Sequence, residues 1–155
     1  MITTQAELEA VRAQCRTLVR NRSLISAGVA VVPVPALDVL TDLGLMRQML
    51  PEISRRFGLD AAQVAALDPQ RAQRVMAVAN RIGSAIIGRV VTERVVASLL
   101  RRLGLRFATV SVAKFVPLVG SALAAGVSFG AMKVLGERHI DDCFETARQT
   151  LLLPS

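Results

Sequence analysis

Three groups of residues have the types and spacing to do chemistry. His139 and Cys143 stand four apart with Asp142 between them, a spacing that sets an imidazole and a thiolate on one helix face where they can share a metal ion. Two or three weak ligands do not complete a site, so these residues read instead as a surface helix with Cys143 on its apolar side. Asp38 and Asp42 are also four apart, as paired carboxylates for acid and base work would be. A structural role fits Asp38 better: it stabilises its helix N-terminus or pairs with Lys114, because both flank proline joints, Pro33 and Pro35 in one case and Pro117 and Gly120 in the other. The third group is basic. Arg71, Arg74 and Arg81 share one helical face, and Arg94, Arg101 and Arg102 roughly share another, as phosphate-contacting stripes do. No stacking aromatics or reader motif accompany them, so anionic lipid or an acidic protein is the expected partner and nucleic acid is not. The chain has no Walker loop, no GxSxG elbow and no Cys/His nucleophile arrangement. The expectation is a non-enzymatic protein with no catalytic, cofactor-binding or metal residues.

What must position these groups follows from size and composition. At 155 residues the chain is one domain, 1–155, with a single core. AVILMFWYC residues make up 52% of it, and glycine raises the apolar share to about 58%, above the 45–50% usual in soluble domains, so an apolar excess has to be covered by something. That composition excludes disorder, and the two cysteines, Cys15 and Cys143, are too few and too far apart in sequence for a disulfide scaffold. Reduced thiols are expected, and Met1 to Arg20 lacks the apolar core of a secretion signal. The net charge of +7 is concentrated: residues 47–114 carry twelve basic and four acidic groups, while the flanking segments nearly balance. The basic surface is therefore central.

The pattern is helical throughout, and no alternating strand pattern of useful length appears. Thr4 and Glu7 form a capping box before an amphipathic helix through Leu8, Val11, Cys15, Leu18 and Val19. Ser23 to Leu37 is uncharged and is broken by Val32-Pro33-Val34-Pro35, which ends that helix near Val31 and starts another at Pro35. The second helix runs to about Leu50, kinks or restarts at Pro51 and stops at Phe57-Gly58. Asp60 with Gln63 caps a short helix to Leu67, and Asp68-Pro69 opens a long Arg-studded helix to Leu103 with Gly83 and Gly88 as weak points. After Phe115-Val116-Pro117 comes a small, apolar segment, Leu118 to Leu135. Ile140, Phe144, Ala147 and Leu151 then predict a separate amphipathic helix over 137–152. The fold class expected is all-α: a compact bundle with two proline-jointed apolar hairpins flanked by amphipathic terminal helices.

The longest uncharged run, Phe115 to Met132, is at the lower limit for a membrane span and is bounded by Lys114 and Lys133, which can snorkel. Pro117, Gly120, Ser121 and Ser128 interrupt it, and the chain has no Trp or Tyr for an interfacial belt. Ala122, Gly126 and Gly130 form a small-residue stripe that allows close helix contact in lipid or in a soluble oligomer.

Leu24-Ile25-Ser26-Ala27, Val32 to Asp38, Leu45-Met46-Arg47, Arg56-Phe57-Gly58 and the distant Lys114-Phe115-Val116-Pro117-Leu118-Val119-Gly120 together resemble the bacterial YcjF-type domain of unknown function over residues 20–136. The chain departs from that pattern in Pro51 and in Phe57, where tyrosine is common. The resemblance implies residence at the cytoplasmic side of a bacterial inner membrane and work beside a GTPase, with any nucleotide chemistry belonging to that partner; it implies no catalytic residue. The expectation is therefore a membrane-associated, homo-oligomeric helical scaffold or partner-binding module without cofactors. The alternative is a soluble adaptor that self-associates through the small-residue stripe, and a basic nucleic-acid-binding protein stands third.

Overall fold

The computed structural model describes residues 2–30, 37–102 and 119–150, with side chains described for 2–28, 43–102 and 129–150. The fold is all-α: α1 (Gln5–Ala30), α2 (Leu37–Arg56), α3 (Ala61–Ala65), α4 (Pro69–Ile82), α5 (Glu93–Arg102) and α6 (Val119–Thr150), with no strand among the described residues.

The helix starts are written in side-chain hydrogen bonds. The Glu7 amide donates to Thr4 Oγ1 at 3.2 Å, and the Thr4 amide donates to Glu7 Oε2 at 3.2 Å, closing the first capping box. Asp60 and Gln63 close a second at α3. Asp68 accepts from the Arg71 amide at 3.0 Å, with Pro69 at the first helical position of α4. The stops use left-handed glycines. Gly58 at φ 74° lets the Leu59 amide reach back to the Ser54 carbonyl at 2.8 Å, and Gly83 at φ 86° lets the Ser84 amide reach the Ala79 carbonyl at 2.9 Å.

Three expectations change. The Arg-studded helix from Pro69 does not continue to Leu103: it ends at Gly83, and a loop separates it from α5. The helix expected to kink or restart at Pro51 does not restart there, since α2 spans Leu37–Arg56 with Pro51 inside. The apolar segment and the last amphipathic helix are one element, because α6 passes through Gly136 without a break.

The core lies among α1, α2 and α6, which pack on one another, while α4 and α5 close over α6 and α2. Leu8, Cys15 and Val19 from α1, Met46, Met49, Leu50 and Ile53 from α2, and Met132, Leu135, Ile140 and Cys143 from α6 are buried, together with Phe57 at the end of α2. Gly136 marks the tightest point. A Cβ there would lie 2.6 and 2.8 Å from the Val19 methyls and 3.1 Å from Met49 Cε, so the three long helices meet at one level through a missing side chain.

The relative direction of α1 and α6 is fixed by two ion pairs, Arg12 to Asp141 at 2.7 Å and Arg16 to Glu137 at 3.3 Å. Each step of four forward on α1 is a step of four back on α6, so the helices are antiparallel. Arg12 also lies over the Phe144 ring, 4.4 Å from its centroid.

Candidate functional site

The residues that looked most like chemistry are sealed in the core. His139, expected on a surface helix, is 2% exposed; it is turned inward because it follows Met132 and Leu135 on the face of α6 that meets α2. Its Nε2 lies 2.9 Å from the Ser54 hydroxyl of α2, and Cys143 Sγ lies 3.5 Å from the same nitrogen. Burial pushes the imidazole down to about 4, with the Leu50 carbonyl pulling the other way. Burial also pushes the Cys143 thiol well above its ordinary value, against a hydrogen bond from Ser54, and the Cys15 thiol to about 11. A reactive Cys/His pair requires a thiolate beside an imidazolium. Here the surroundings disfavour both charges, so the cluster is a neutral hydrogen-bonded plug. Among the described residues no group of three or more His, Cys, Asp or Glu side chains is placed to hold a metal ion.

Asp142 lies half-buried on the next face of α6. Burial raises its carboxyl to about 6 and Asp141 adds to the rise, while Arg138 and the Ser84 hydroxyl oppose it.

The basic stripes are where the pattern put them. Arg71, Arg74 and Arg81 are exposed on α4, whose other face buries Val75, Val78 and Ala79, and Arg94, Arg101 and Arg102 are exposed on α5. Arg71 is paired with Asp68 at 3.4 Å, Arg81 bonds Gln149 of α6, and Arg101 bonds the Ala97 carbonyl at 3.4 Å. Arg74, Arg94 and Arg102 make no ion pair or hydrogen bond among the described residues. Of the joint residues, Pro33, Pro35, Lys114 and Pro117 fall outside the described residues, and the side chains of Asp38, Ala122 and Gly126 and the surroundings of Gly120 do as well. Gly130 is described, and a Cβ there would meet nothing within 4 Å. The close approach within this chain is made by Gly136.

The feature that sequence reading missed lies at the far end of α1. Up to Val19 the buried face of that helix is apolar. One turn further the faces exchange roles: Ser23 and Ser26 are fully buried, while Leu24 is 57% and Ile25 51% exposed. The antiparallel register sets this turn of α1 beside the start of α6, so the uncharged run that begins at Ser23 and the one that ends at Met132 share one end of the bundle. Val134, 51% exposed, adds a further aliphatic to the surface of α6 just beyond Met132. A wheel drawn for residues 23–26 alone would have shown serines and leucines on opposite sides, but only the packed partner says which side faces in. Among the described residues no helix is long and apolar enough to cross a membrane.

Compared with protein-family models, curated proteins and solved structures, the chain matches none.

Proposed function

We propose that the chain is a non-enzymatic helical module that associates with a membrane surface through the end of the bundle where α1 and α6 carry their uncharged runs, and serves there as a scaffold or partner-binding domain. The inversion of α1 carries this reading. In water, exposing Leu24 and Ile25 while burying Ser23 and Ser26 reverses the order that hydrophobic burial favours. Against hydrocarbon the same arrangement is the favoured one, since small and hydroxylic residues then mediate helix contacts and large aliphatic ones face outward. Interfacial seating, with the bundle resting on its apolar end, fits the finding that among the described residues no helix is long and apolar enough to span.

The arginine-bearing helices α4 and α5 are offered to a partner. The resemblance to the YcjF-type domain makes a GTPase on the cytoplasmic face of a bacterial inner membrane the proposed partner. The sealed Ser54, His139 and Cys143 cluster supports the non-enzymatic part of the proposal, because neither nucleophile nor base is charged or reachable.

Flotation of the untagged chain with phospholipid vesicles tests the membrane reading. Wild type is expected to float and Leu24→Glu/Ile25→Glu to stay at the bottom of the gradient with an unchanged circular-dichroism spectrum. Wild type remaining with the soluble fraction, monodisperse without detergent, overturns the reading.

A further inference from the structure

The outer face of α4 carries cations and no carboxylate. None of its residues from Pro69 to Ile82 is acidic, and the side away from Val75, Val78 and Ala79 is exposed. Gln70, Arg74, Ala77 and Arg81 are spaced four, three and four apart, which keeps them in one row along that side. Arg74 and Arg81 stand two turns apart, about 10 Å, with the small Ala77 between them. Neither has a carboxylate partner among the described residues. Arg74 makes no ion pair or hydrogen bond there, and Arg81 is held by Gln149 of α6, whose carboxamide oxygen accepts from the guanidinium without neutralising it. Gln149 in turn donates to Glu145, a carboxylate that Arg148 already holds through hydrogen bonds of 2.9 and 2.7 Å. At the same end of α4 the Arg89 guanidinium donates to Asn80 Oδ1 at 2.9 Å, again a carboxamide. Arg71 differs, since Asp68 pairs with it at 3.4 Å. A guanidinium steadied by a neutral oxygen keeps its charge and has less rotamer freedom to lose when an anion arrives.

We infer that this row docks a helix of a partner protein that carries carboxylates two turns apart; the inference deepens the partner-binding half of the reading above, on which it rests, by placing the contact on α4. Guanidinium groups take carboxylates in bidentate pairs, and arginines are enriched where interfaces concentrate their affinity. Ala77 leaves the middle of the row low, which lets a second helix lie close along it. The flank of the row selects the width of the occupant. Glu145, bonded to the Gln149 that holds Arg81, and Asp142, next to Ser84 just after α4, place acidic groups on the α6 side. A nucleic-acid duplex or a lipid surface laid on α4 meets these carboxylates as well as the arginines, whereas a single helix, about 10 Å across, is narrow enough to follow the row alone. The Arg81 end of the row is also remote from the apolar end of the bundle: Gln149 lies seventeen residues along α6 from Met132, about 25 Å at 1.5 Å per residue. Seating that end in lipid leaves this one open to a protein.

Fluorescence anisotropy of the full chain with a labelled helical peptide reads the site, the peptide carrying glutamates two turns apart on an alanine–glutamine background. A labelled DNA duplex and phosphatidylglycerol vesicles are the competing probes. Wild type should bind the glutamate peptide, more weakly as salt rises, and should bind its all-glutamine counterpart at least about tenfold less well. Arg74→Gln/Arg81→Gln should lose about tenfold or more in affinity, while Arg94→Gln/Arg102→Gln, which removes the same charge from α5, should stay within about twofold of wild type. Arg81 also touches Gln149, so Arg74→Gln alone is the second variant: it should cost about threefold with an unchanged melting temperature. Equal losses in the α4 and α5 pairs reduce the effect to net charge and overturn the row. Loss confined to the α5 pair overturns the row and leaves the partner-binding reading standing on α5. No binding of the glutamate peptide overturns the row and the partner role of α4 together, and the flotation result stands or falls separately. Tighter binding of the duplex or of the vesicles through Arg74 and Arg81 overturns the proposed occupant.

Discussion

Acidification should remove the stability that one buried side chain contributes. His139 is the chain's single histidine, fully enclosed, with its titration pushed by burial from 6.5 to about 4. A folded value below the unfolded one means that the unfolded chain binds the extra proton between the two, so the stabilisation is complete above pH 6.5 and is lost as pH falls toward 4. At 1.36 kcal/mol per unit the loss amounts to about 3 kcal/mol, a large part of the 5–15 kcal/mol by which such domains are stable. The assay is urea unfolding of wild type and His139→Gln at half-unit steps between pH 7.5 and about 4. Glutamine keeps a hydrogen-bonding group for Ser54 and does not titrate. The variant starts lower at neutral pH, but the gap between the two proteins should close as the medium becomes acidic. Because only one imidazole is present, its NMR titration gives the folded value directly. A constant gap across the range, or an imidazole that titrates near 6.5 in the folded protein, would refute the reasoning.

Asp142 works with the opposite sign: its folded value near 6 lies above the unfolded 3.8, so its contribution is present at low pH and is lost as pH rises through 6. Asp142→Asn should therefore leave the His139 contribution unopposed, so that stability climbs more steeply between pH 5 and 7.5 than in wild type, and a profile parallel to wild type would count against it. At the three-helix level, Gly136→Ala should destabilise by about 1–2 kcal/mol, because overpacking of Val19 and Met49 exceeds the gain in helix propensity, whereas Gly130→Ala, with open space around it, should stabilise by up to about 1 kcal/mol. Denaturant midpoints decide between them, and equal gains at both glycines would refute the close contact.

Local chemistry was legible in the residues. Thr4 with Glu7, Asp60 with Gln63, and Asp68 before Pro69 name their helix starts because each is satisfied by a neighbour three residues away. Glycine is harder to read, since the residue itself does not say whether it caps, packs or merely fills a helix. Gly83 ends α4 by taking a left-handed backbone, while Gly136 sits within α6 because Val19 occupies the space of its missing side chain. Charge patterning marked arginines that are exposed on α4 and α5 but said nothing about ion pairs between residues 121 and 129 apart in sequence. His139 was misplaced for the same reason: the face of α6 that it occupies is inner only because α2 lies across it.

Three changes fall within about two turns of α1, and their coincidence limits the explanations. The last apolar core residue is Val19, the last carboxylate-paired rung is Arg16 with Glu137, and the first exposed aliphatic is Leu24. An accidental surface leucine is ordinary and needs no cause. An accidental leucine and isoleucine side by side, with serines turned inward beneath them, would require independent tolerance of each unfavourable term. A single change of surroundings at this level accounts for all three. Below it the helix pair is solvated by water and secured by ion pairs and an apolar seam. Above it the aliphatics face outward and the buried face becomes hydroxylic. On the proposed membrane reading that surrounding is the apolar layer of a lipid interface, which Leu24 and Ile25 would face while Ser23 and Ser26 stay against the bundle.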